Sequence, residues 1–149
     1  MVLSELRKTE HLSASSIGTY VECSLMYKFS KIDKIPMEKK SDAMEFGSAI
    51  HITLEQFYQE KMIGKNLLLK DVHEVFEKIW RSRAEDKTDI QYSKDYDFKS
   101  MLMLGKDLLT VWYAKIPDDN YTILGIEEAF SFNLPGIPIP FIGAMDLIE

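Results

Sequence analysis

The sequence predicts a mixed α+β domain in which helices come first and an antiparallel β-hairpin follows. Up to about residue 117, apolar residues recur with the period of an α-helix in four separate segments. From Thr122 they alternate instead, and the turn signal Pro-Gly-Ile-Pro separates two strand patterns. Because a sheet of two strands is only marginally stable, we expect the sheet to be incomplete in this chain.

The first predicted helix is SASSIGTYVECSLMYKF. Ser13, Ser15 and Ser16 offer side chains that can cap its first free amides. An apolar stripe follows, with a break expected near Cys23, and it consists of Ile17, Tyr20, Val21, Leu25 and Phe29. The charged segment KIDKIPMEKKSD, which contains Pro36, is predicted to be a loop.

The second predicted helix, AMEFGSAIHITLEQFYQEKM, is expected to stop at Gly64. One face carries Ile50, Leu54, Phe57 and Tyr58. His51 and Glu55 are four residues apart and can share another face. A helical His four residues from a Glu is common on solvated faces, so this spacing alone does not indicate a metal ligand.

Two further helices are predicted, one in KDVHEVFEKIWRSRAED and one from about Phe98 to Lys115. The apolar stripe of the first consists of Val72, Val75, Phe76, Ile79 and Trp80. In the second of these helices, one side carries Leu102, Gly105, Leu109 and Trp112. Pro117 is expected to end it. These helices form a predicted helical insert over about residues 65–117. Core strands are predicted after it, over about residues 122–149.

The first strand is predicted in TILGIEEAFSFNL, where the alternating residues are Leu124, Ile126, Phe130, Phe132 and Leu134. Glu127 is expected on the opposite face, and its neighbour Glu128 as an exposed edge charge. The second strand, IPFIGAMDLIE, is apolar on both faces, as in a strand covered on both sides. A buried Asp146 would need a cation, a metal or several donors. Capping of a loop or pairing with a lysine is the alternative role for this residue.

Composition limits the classes of function. With 149 residues and 46% hydrophobic residues, the chain suits one domain. The net charge of −6 argues against nucleic-acid binding by bulk charge, but it does not exclude a nuclease whose metal ions meet the phosphate. A single cysteine cannot form an internal disulfide, which predicts a cytoplasmic location. No apolar run approaches bilayer-spanning length, so no membrane partner is expected.

Four stretches, in this order, resemble the RecB-like branch of the PD-(D/E)XK nuclease superfamily. LSASSIGTYVECSLMYKF is similar to the opening helix of that branch. FGSAIHITLEQFY is similar to its Gly-x-x-x-His helix, with Gly47 and His51 at the motif positions. IEEAFSF is similar to its Glu strand, with Glu127 at the Glu position. FIGAMDLIE is similar to its Gly-x-x-Asp strand, with Gly143 and Asp146 at the motif positions. The ordered set covers nearly the whole chain.

The resemblance implies part of a restriction-endonuclease-like core with metal-dependent DNA nuclease activity of exonuclease type. Such an enzyme hydrolyses phosphodiester bonds in repair, recombination or related processing, with DNA as substrate and a helicase or another processing protein as partner. By the family pattern, His51 and Asp146 hold Mg²⁺ or Mn²⁺. Hard oxygen ligands with one imidazole suit these ions. Asp146 and Glu127 are the implied catalytic residues, with Glu127 in a supporting role.

The sequence departs from the family pattern after Asp146. The family carries an acid-x-Lys motif on the next strand and a later Gln-x-x-x-Tyr helix, and neither is found before the chain ends at Glu149. We therefore expect this chain to be a fragment that is inactive alone. Cys23 matches a position that binds an iron–sulfur cluster in some relatives. Cys23-Ser24 replaces the usual Cys-Pro, however, so a small buried residue in a helix is the favoured interpretation.

Two alternative functions stay open from the sequence. The protein can be a catalytically dead nuclease-like module that binds DNA ends or a partner protein, which would suit its acidic charge and missing lysine motif. It can also be a helical interaction domain whose resemblance is accidental. The last alternative predicts that His51 and Asp146 lie far apart in space.

Overall fold

The computed structural model describes residues 3–116 and 122–149. In chain order the elements are α1 (Leu3–Leu6), α2 (Ala14–Glu22), α3 (Ser24–Tyr27), a π-helical segment (Lys28–Ile32), β1 (Lys40–Ser41), α4 (Asp42–Met62), α5 (Leu69–Ala84), β2 (Ile90–Gln91), α6 (Phe98–Tyr113), β3 (Gly125–Phe132) and β4 (Phe141–Ile148). Helices therefore precede the β3–β4 hairpin, and the predicted mixed α/β fold class is confirmed. Among the described residues, no helix is long and apolar enough to cross a membrane.

The chain divides into two compact units. The hairpin unit consists of the residues up to Met37 together with Ile123–Glu149, and the helical unit consists of Glu38–Thr122. The hairpin unit is discontinuous in sequence, whereas the helical unit is one uninterrupted segment. The helical unit contains the predicted insert and also α4, the helix that carries His51.

Two of the three long helices in the helical unit begin at a residue whose side chain satisfies free backbone groups. The side chain of Ser41 caps α4, and the side chain of Asp97 caps α6. α4 ends at Met62, and the predicted stop residue Gly64 follows two residues later with a φ of 82°, a left-handed conformation that favours glycine. The Gly64 N–H donates to the Lys61 carbonyl at 2.9 Å, which satisfies one of the last carbonyls of the helix. The predicted stop of α6 at Pro117 lies outside the described residues.

The core of the helical unit forms between α4, α5 and α6. α5 buries three side chains of its predicted stripe, Val72, Phe76 and Trp80. Trp80 also donates a hydrogen bond from Nε1 to the carbonyl of Phe98 at 3.0 Å, so its polar atom is satisfied inside the core. Gly105 of α6 faces the ring of Phe76, and a Cβ at this position would lie 2.1 Å from Cζ of that ring. The absence of a side chain at Gly105 therefore lets α6 approach α5 closely.

Two buried carboxylates tie the start of α4 to the rest of the helical unit. Asp42 is 3% exposed and accepts hydrogen bonds from the N–H of Ser93 at 2.8 Å and from the Ser93 hydroxyl at 3.0 Å. Glu45 is 6% exposed and pairs with Arg83 at 2.8 Å. These contacts lie next to the parallel pairing of β1 with β2. The sequence did not predict this pairing because two residues a strand are too few to show alternation.

We expect the stability of the helical unit to fall in acid. The N–H of Ser93 lowers the pKa of Asp42, the ammonium of Lys106 lowers the pKa of Glu77, and the N–H of Ser100 lowers the pKa of Asp97. A carboxyl whose folded pKa is depressed stabilises the fold above its unfolded pKa, near ~4. This stabilisation is lost as the pH falls through the folded pKa. Melting followed by circular dichroism should show a falling Tm below about pH 4.

Asp42→Asn is the matched variant for this experiment. It should melt lower than the parent at pH 7, because the amide accepts the Ser93 bonds as a neutral group, and its Tm should depend less on pH. An equal pH dependence of Tm in the variant and the parent would show that Asp42 contributes nothing to the acid transition.

The hairpin unit begins with short helical segments that meet at Cys23. Ser13 and Ser16 form a capping box at the start of α2, which confirms the predicted serine cap. Cys23 has extended backbone dihedrals and separates α2 from α3, so the predicted break is also confirmed. The chain continues as a π-helical segment, which is rare and often found at functional sites. The Leu12 N–H donates to the Pro140 carbonyl at 2.9 Å and attaches this region to the hairpin.

The predicted apolar stripe along α2, α3 and the π-helical segment does not reach a core. An amphipathic stripe normally faces the interior, but here each member is exposed, from Ile17 at 41% to Val21 at 77%. The break at Cys23 interrupts the stripe, so α2 and α3 present two short apolar faces instead of one long one. Ile17 and Tyr20 line a small pocket of about 250 Å³ with Leu12, Ser16 and Tyr27.

The β3–β4 hairpin forms where the alternation predicted it. The Ile137 N–H donates to the Leu134 carbonyl at 3.1 Å, and Gly136 between them has a φ of 79°, which confirms the predicted turn. The expectation that β4 is covered on both faces is wrong for this chain. Within β4, Ile142 is the one buried residue, and Met145 is 46% exposed. The residues that the structure describes within the hairpin unit do not cover both faces of β4.

Candidate metal-binding residues

The helical unit brings together one pair of metal-ligand side chains. His51 and Glu55 lie one turn apart on α4, and their ligand atoms are within 4.8 Å of one another. His51 is exposed and Glu55 is half-buried, while Ala49 and Thr53 on another face of the helix are buried. An imidazole nitrogen and a carboxylate oxygen at this separation suit a divalent cation with mixed nitrogen and oxygen ligands.

Gly47 has no packing requirement among the described residues. A Cβ at this position would meet no described atom within 4 Å, and the residue is exposed on α4. No described protein atom therefore explains the glycine at this motif position. Glycine in a helix interior is unfavourable by about 0.5–1 kcal/mol relative to alanine, so Gly47 weakens α4.

The register of the hairpin sets two acidic residues opposite each other. Ile126 pairs with Leu147 and Glu128 pairs with Met145, so Glu127 and Asp146 occupy facing positions between these pairs. Residues directly opposite on antiparallel strands have neighbouring side chains when both backbones are extended. Asp146 is exposed, so the expectation of a buried carboxylate in this strand is wrong. The sequence could not give this register, because nothing in it fixes how the two strands align.

Glu127 departs from strand geometry. Its φ is 53°, in the left-handed region, and Glu127 and Asp146 do not form a regular ladder pair. A non-glycine residue in this region is strained by of order 1 kcal/mol or more, and such strain clusters at functional sites. Glu128, by contrast, pairs regularly and is exposed, which agrees with its prediction as an edge charge.

We expect the free energy of unfolding of Glu127→Gly to exceed that of Glu127→Ala by about 1 kcal/mol. Glycine adopts positive φ without a Cβ clash, whereas alanine keeps the strain of the native backbone. The difference is measured by chemical denaturation of the two variants side by side. Equal stabilities, or a more stable alanine variant, would show that the left-handed conformation at position 127 does not persist in solution.

Gly143 serves packing within the hairpin. It pairs with Phe130, and a Cβ at Gly143 would lie 2.5 Å from the end of the Phe130 ring. The ring therefore covers the glycine and occupies the space of its missing side chain. This contact gives a structural reason for glycine at the position that the resemblance assigned to the Gly-x-x-Asp motif.

The remaining sequence candidates have structural contacts. Cys23 is exposed and its Sγ accepts a weak hydrogen bond from the Met26 N–H, so the interpretation as a buried helical residue is wrong. Cys23 sits where the helix breaks, and the exposed faces of α2 and α3 leave its thiol in solvent. His11 donates from Nδ1 to the Thr9 carbonyl at 2.7 Å, and Nε2 of His73 lies 3.1 Å from the Lys106 carbonyl. Both imidazoles are half-buried.

Within each unit the structure thus groups the candidates in pairs. Glu127 and Asp146 face each other in the hairpin unit, and His51 lies beside Glu55 in the helical unit. Glu55 had no predicted role. The signal that could have found it was its spacing of four residues from His51 on one helix, a pattern that is also common on solvated faces.

Comparison with known proteins identifies the family. The family model described as PD-(D/E)XK nuclease superfamily matches residues 11–149. Searches of curated proteins and of solved structures found no match to the chain. A match over this much of the sequence argues against an accidental resemblance. It also spans α2, α4 and both strands of the hairpin, the elements on which the resemblance depends. The chain therefore belongs to the PD-(D/E)XK nuclease superfamily.

Proposed function

We propose that this chain is part of a metal-dependent nuclease of the RecB-like branch that hydrolyses phosphodiester bonds in DNA. The observation that carries the proposal is the hairpin register, in which Glu127 and Asp146 face each other across β3 and β4. Carboxylates at these two positions offer hard oxygen ligands to a divalent cation that would also meet the substrate phosphate. The family match over residues 11–149 supports the reaction class.

The proposed ligands are His51 and Asp146, with Glu127 as a supporting acid. Their donor atoms are one imidazole nitrogen and several carboxylate oxygens, a set that fits Mg²⁺ or Mn²⁺. Glu55 can add a further oxygen, because it lies beside His51 on α4. Such an ion, when bound, stabilises negative charge on a phosphate and lowers the pKa of a bound water.

The protein's own residues then have separate tasks. The Asp146 carboxylate would hold the ion at the hairpin, and the lone pair of the His51 imidazole would supply its nitrogen ligand. We propose DNA repair or recombination as the setting, with a helicase or another processing protein as partner. We propose the cytoplasm as the location, because the single cysteine is compatible with a reducing compartment.

Titration of the metal-free chain with Mn²⁺ by calorimetry tests the proposal. We expect saturable binding that is lost in His51→Ala. The 149 residues contain no acid-x-Lys motif on a strand after Asp146, so we expect no cleavage of DNA by these residues alone. Metal-dependent cleavage by the purified chain would contradict this expectation, and the absence of saturable Mn²⁺ binding would contradict the proposed ion site.

The acidic net charge of −6 fits one second candidate, a catalytically dead module that binds DNA ends or a partner protein. The same titration separates the two candidates. A dead module need not retain an ion site, whereas the nuclease requires one. DNA binding without any Mn²⁺ binding would support the module.

A further inference from the structure

We propose that a basic cleft in the hairpin unit binds the phosphate backbone of single-stranded DNA. The basic cleft is defined by Arg7, Lys8, Lys31 and Lys34, and its volume is about 650 Å³. This inference rests on the proposed function, because it names the form of nucleic acid that the nuclease would engage. It uses none of the proposed metal ligands.

The charge in this cleft is opposite to that of the chain. The whole sequence carries a net charge of −6, yet the lining residues include four cations and a single carboxylate, Glu10. Arg7, Lys8, Lys31 and Lys34 are all exposed, and none forms an ion pair with another residue in the ranges 3–116 and 122–149. Nearby Lys28, by contrast, is paired with Asp33 at 2.6 Å. Binding of an external anion by these four cations would therefore break no ion pair among the described residues.

The hydroxyl groups of the cleft do not serve this purpose. The hydroxyls of Thr9, Ser16 and Ser30 donate to backbone carbonyls within the same region. Because these three protons are committed to the fold, the ammonium and guanidinium groups are the main donors for a ligand. A ligand held mainly by fixed cations must itself carry several negative charges, as a nucleic-acid strand does.

The backbone at Lys34 gives independent support. Its φ is 50°, a conformation that favours glycine, and the Ile35 N–H closes the turn by donating to the Phe29 carbonyl at 2.9 Å. Lysine here keeps backbone strain that glycine would relieve, and strain of this kind is retained where the side chain has a use. Lys31 lies in the π-helical segment, a geometry that is often found at functional sites.

The cleft suits a single strand better than a duplex or an acidic protein. A concave site can follow one flexible backbone, and the half-buried ring of Tyr27 lines it beside the cations. Basic grooves with aromatic side chains are the usual means of binding single strands without sequence preference. An acidic peptide would use the cations but would gain nothing from base stacking on an aromatic ring.

Fluorescence anisotropy with a labelled oligo-dT of 15 nucleotides tests the proposal, with EDTA present so that no metal contributes. The test variant is Lys31→Gln with Lys34→Gln. The control is Lys70→Gln with Lys94→Gln, which changes the net charge equally at two exposed lysines of the helical unit. At 50 mM salt we expect the test variant to bind oligo-dT roughly 5- to 10-fold more weakly per lysine removed. The salt slope, which is the slope of log binding constant against log salt concentration, should be smaller in magnitude by about 1.4. The control should bind like the parent.

Lys34→Gly separates binding from folding. We expect it to lose DNA affinity as Lys34→Gln does, while its Tm rises by a few degrees because glycine relieves the strain at position 34. A loss of affinity together with a gain in stability cannot result from unfolding.

Several outcomes would overturn the assignment. The first two are no binding of oligo-dT by the parent at 50 mM salt, and equal salt slopes for the test and control variants. The third is tighter binding of a duplex of the same length. The fourth is displacement of the oligonucleotide by poly-glutamate as effectively as by unlabelled oligo-dT. The Mn²⁺ titration is done without DNA, so failure of the metal site and failure of the cleft are observed separately.

Discussion

Replacing Asp146 with asparagine is expected to weaken Mn²⁺ binding by about 100-fold or more, because a negatively charged ligand becomes a neutral amide. Changes to groups that merely orient ligands already cost 10- to 100-fold in metal affinity, so loss of a ligand should cost at least as much. Calorimetric titration of the parent and Asp146→Asn measures the ratio. The matched control is Glu128→Gln, an exposed carboxylate one position from Glu127 on β3.

A double-mutant cycle extends this prediction to His51. If His51 and Asp146 hold one ion, removing both should cost much less than the sum of the single losses, because the site is already disabled by either change. If the two losses add, the residues act independently and the proposal of a shared ion fails. A loss in Glu128→Gln as large as in Asp146→Asn would show that general charge, and not a specific ligand, controls the binding.

Gly105→Ala is expected to destabilise the protein by about 3 kcal/mol, near the upper end for overpacking of a core. The new Cβ would lie 2.1 Å from Cζ of Phe76, a residue that is fully buried at the interface of α5 with α6. Neither the ring nor the helix backbone can move away without disturbing Trp80, which is fully buried on the same helix. The better helix propensity of alanine offsets about 1 kcal/mol at most.

Gly47→Ala is the control for this substitution. It makes the same chemical change inside a helix, but no described atom lies within 4 Å of the added Cβ. We expect it to stabilise the protein by about 0.5–1 kcal/mol, so the two variants should change the Tm in opposite directions. Thermal and urea unfolding of both variants tests the pair. A stable Gly105→Ala protein would mean that α5 and α6 are less closely packed in solution.

The long helices could be predicted because each combines a periodic stripe with a terminal signal. Val72, Phe76 and Trp80 recur at helical spacing, and Gly64 has the left-handed backbone that ends α4. The parallel pairing of β1 with β2 could not be predicted, since it depends on tertiary contacts of Asp42 with Ser93 and leaves no periodic signal. The exposure of the α2 stripe was likewise hidden, because periodicity indicates an apolar face and not what covers it.

The candidate site divides in the same way. The motif resemblance pointed to His51, Glu127 and Asp146 by their order along the chain, and their roles stay a prediction. The alignment of β3 with β4 was not contained in the sequence, nor was the left-handed conformation of Glu127, because both arise when the strands pair. The basic cleft was missed because Lys8 and Lys34 are far apart in sequence and their positive charges are masked by an acidic average.

The bond from Leu12 to Pro140 joins segments about 130 residues apart, and this has a consequence for synthesis in the cell. The helical unit is continuous and can fold as soon as Thr122 has left the ribosome. The N-terminal segment of the hairpin unit must wait until β4 emerges before Leu12 can bond to Pro140, and its apolar side chains are exposed to solvent throughout. During translation, this nascent N-terminal segment is therefore the part of the chain most in need of a chaperone.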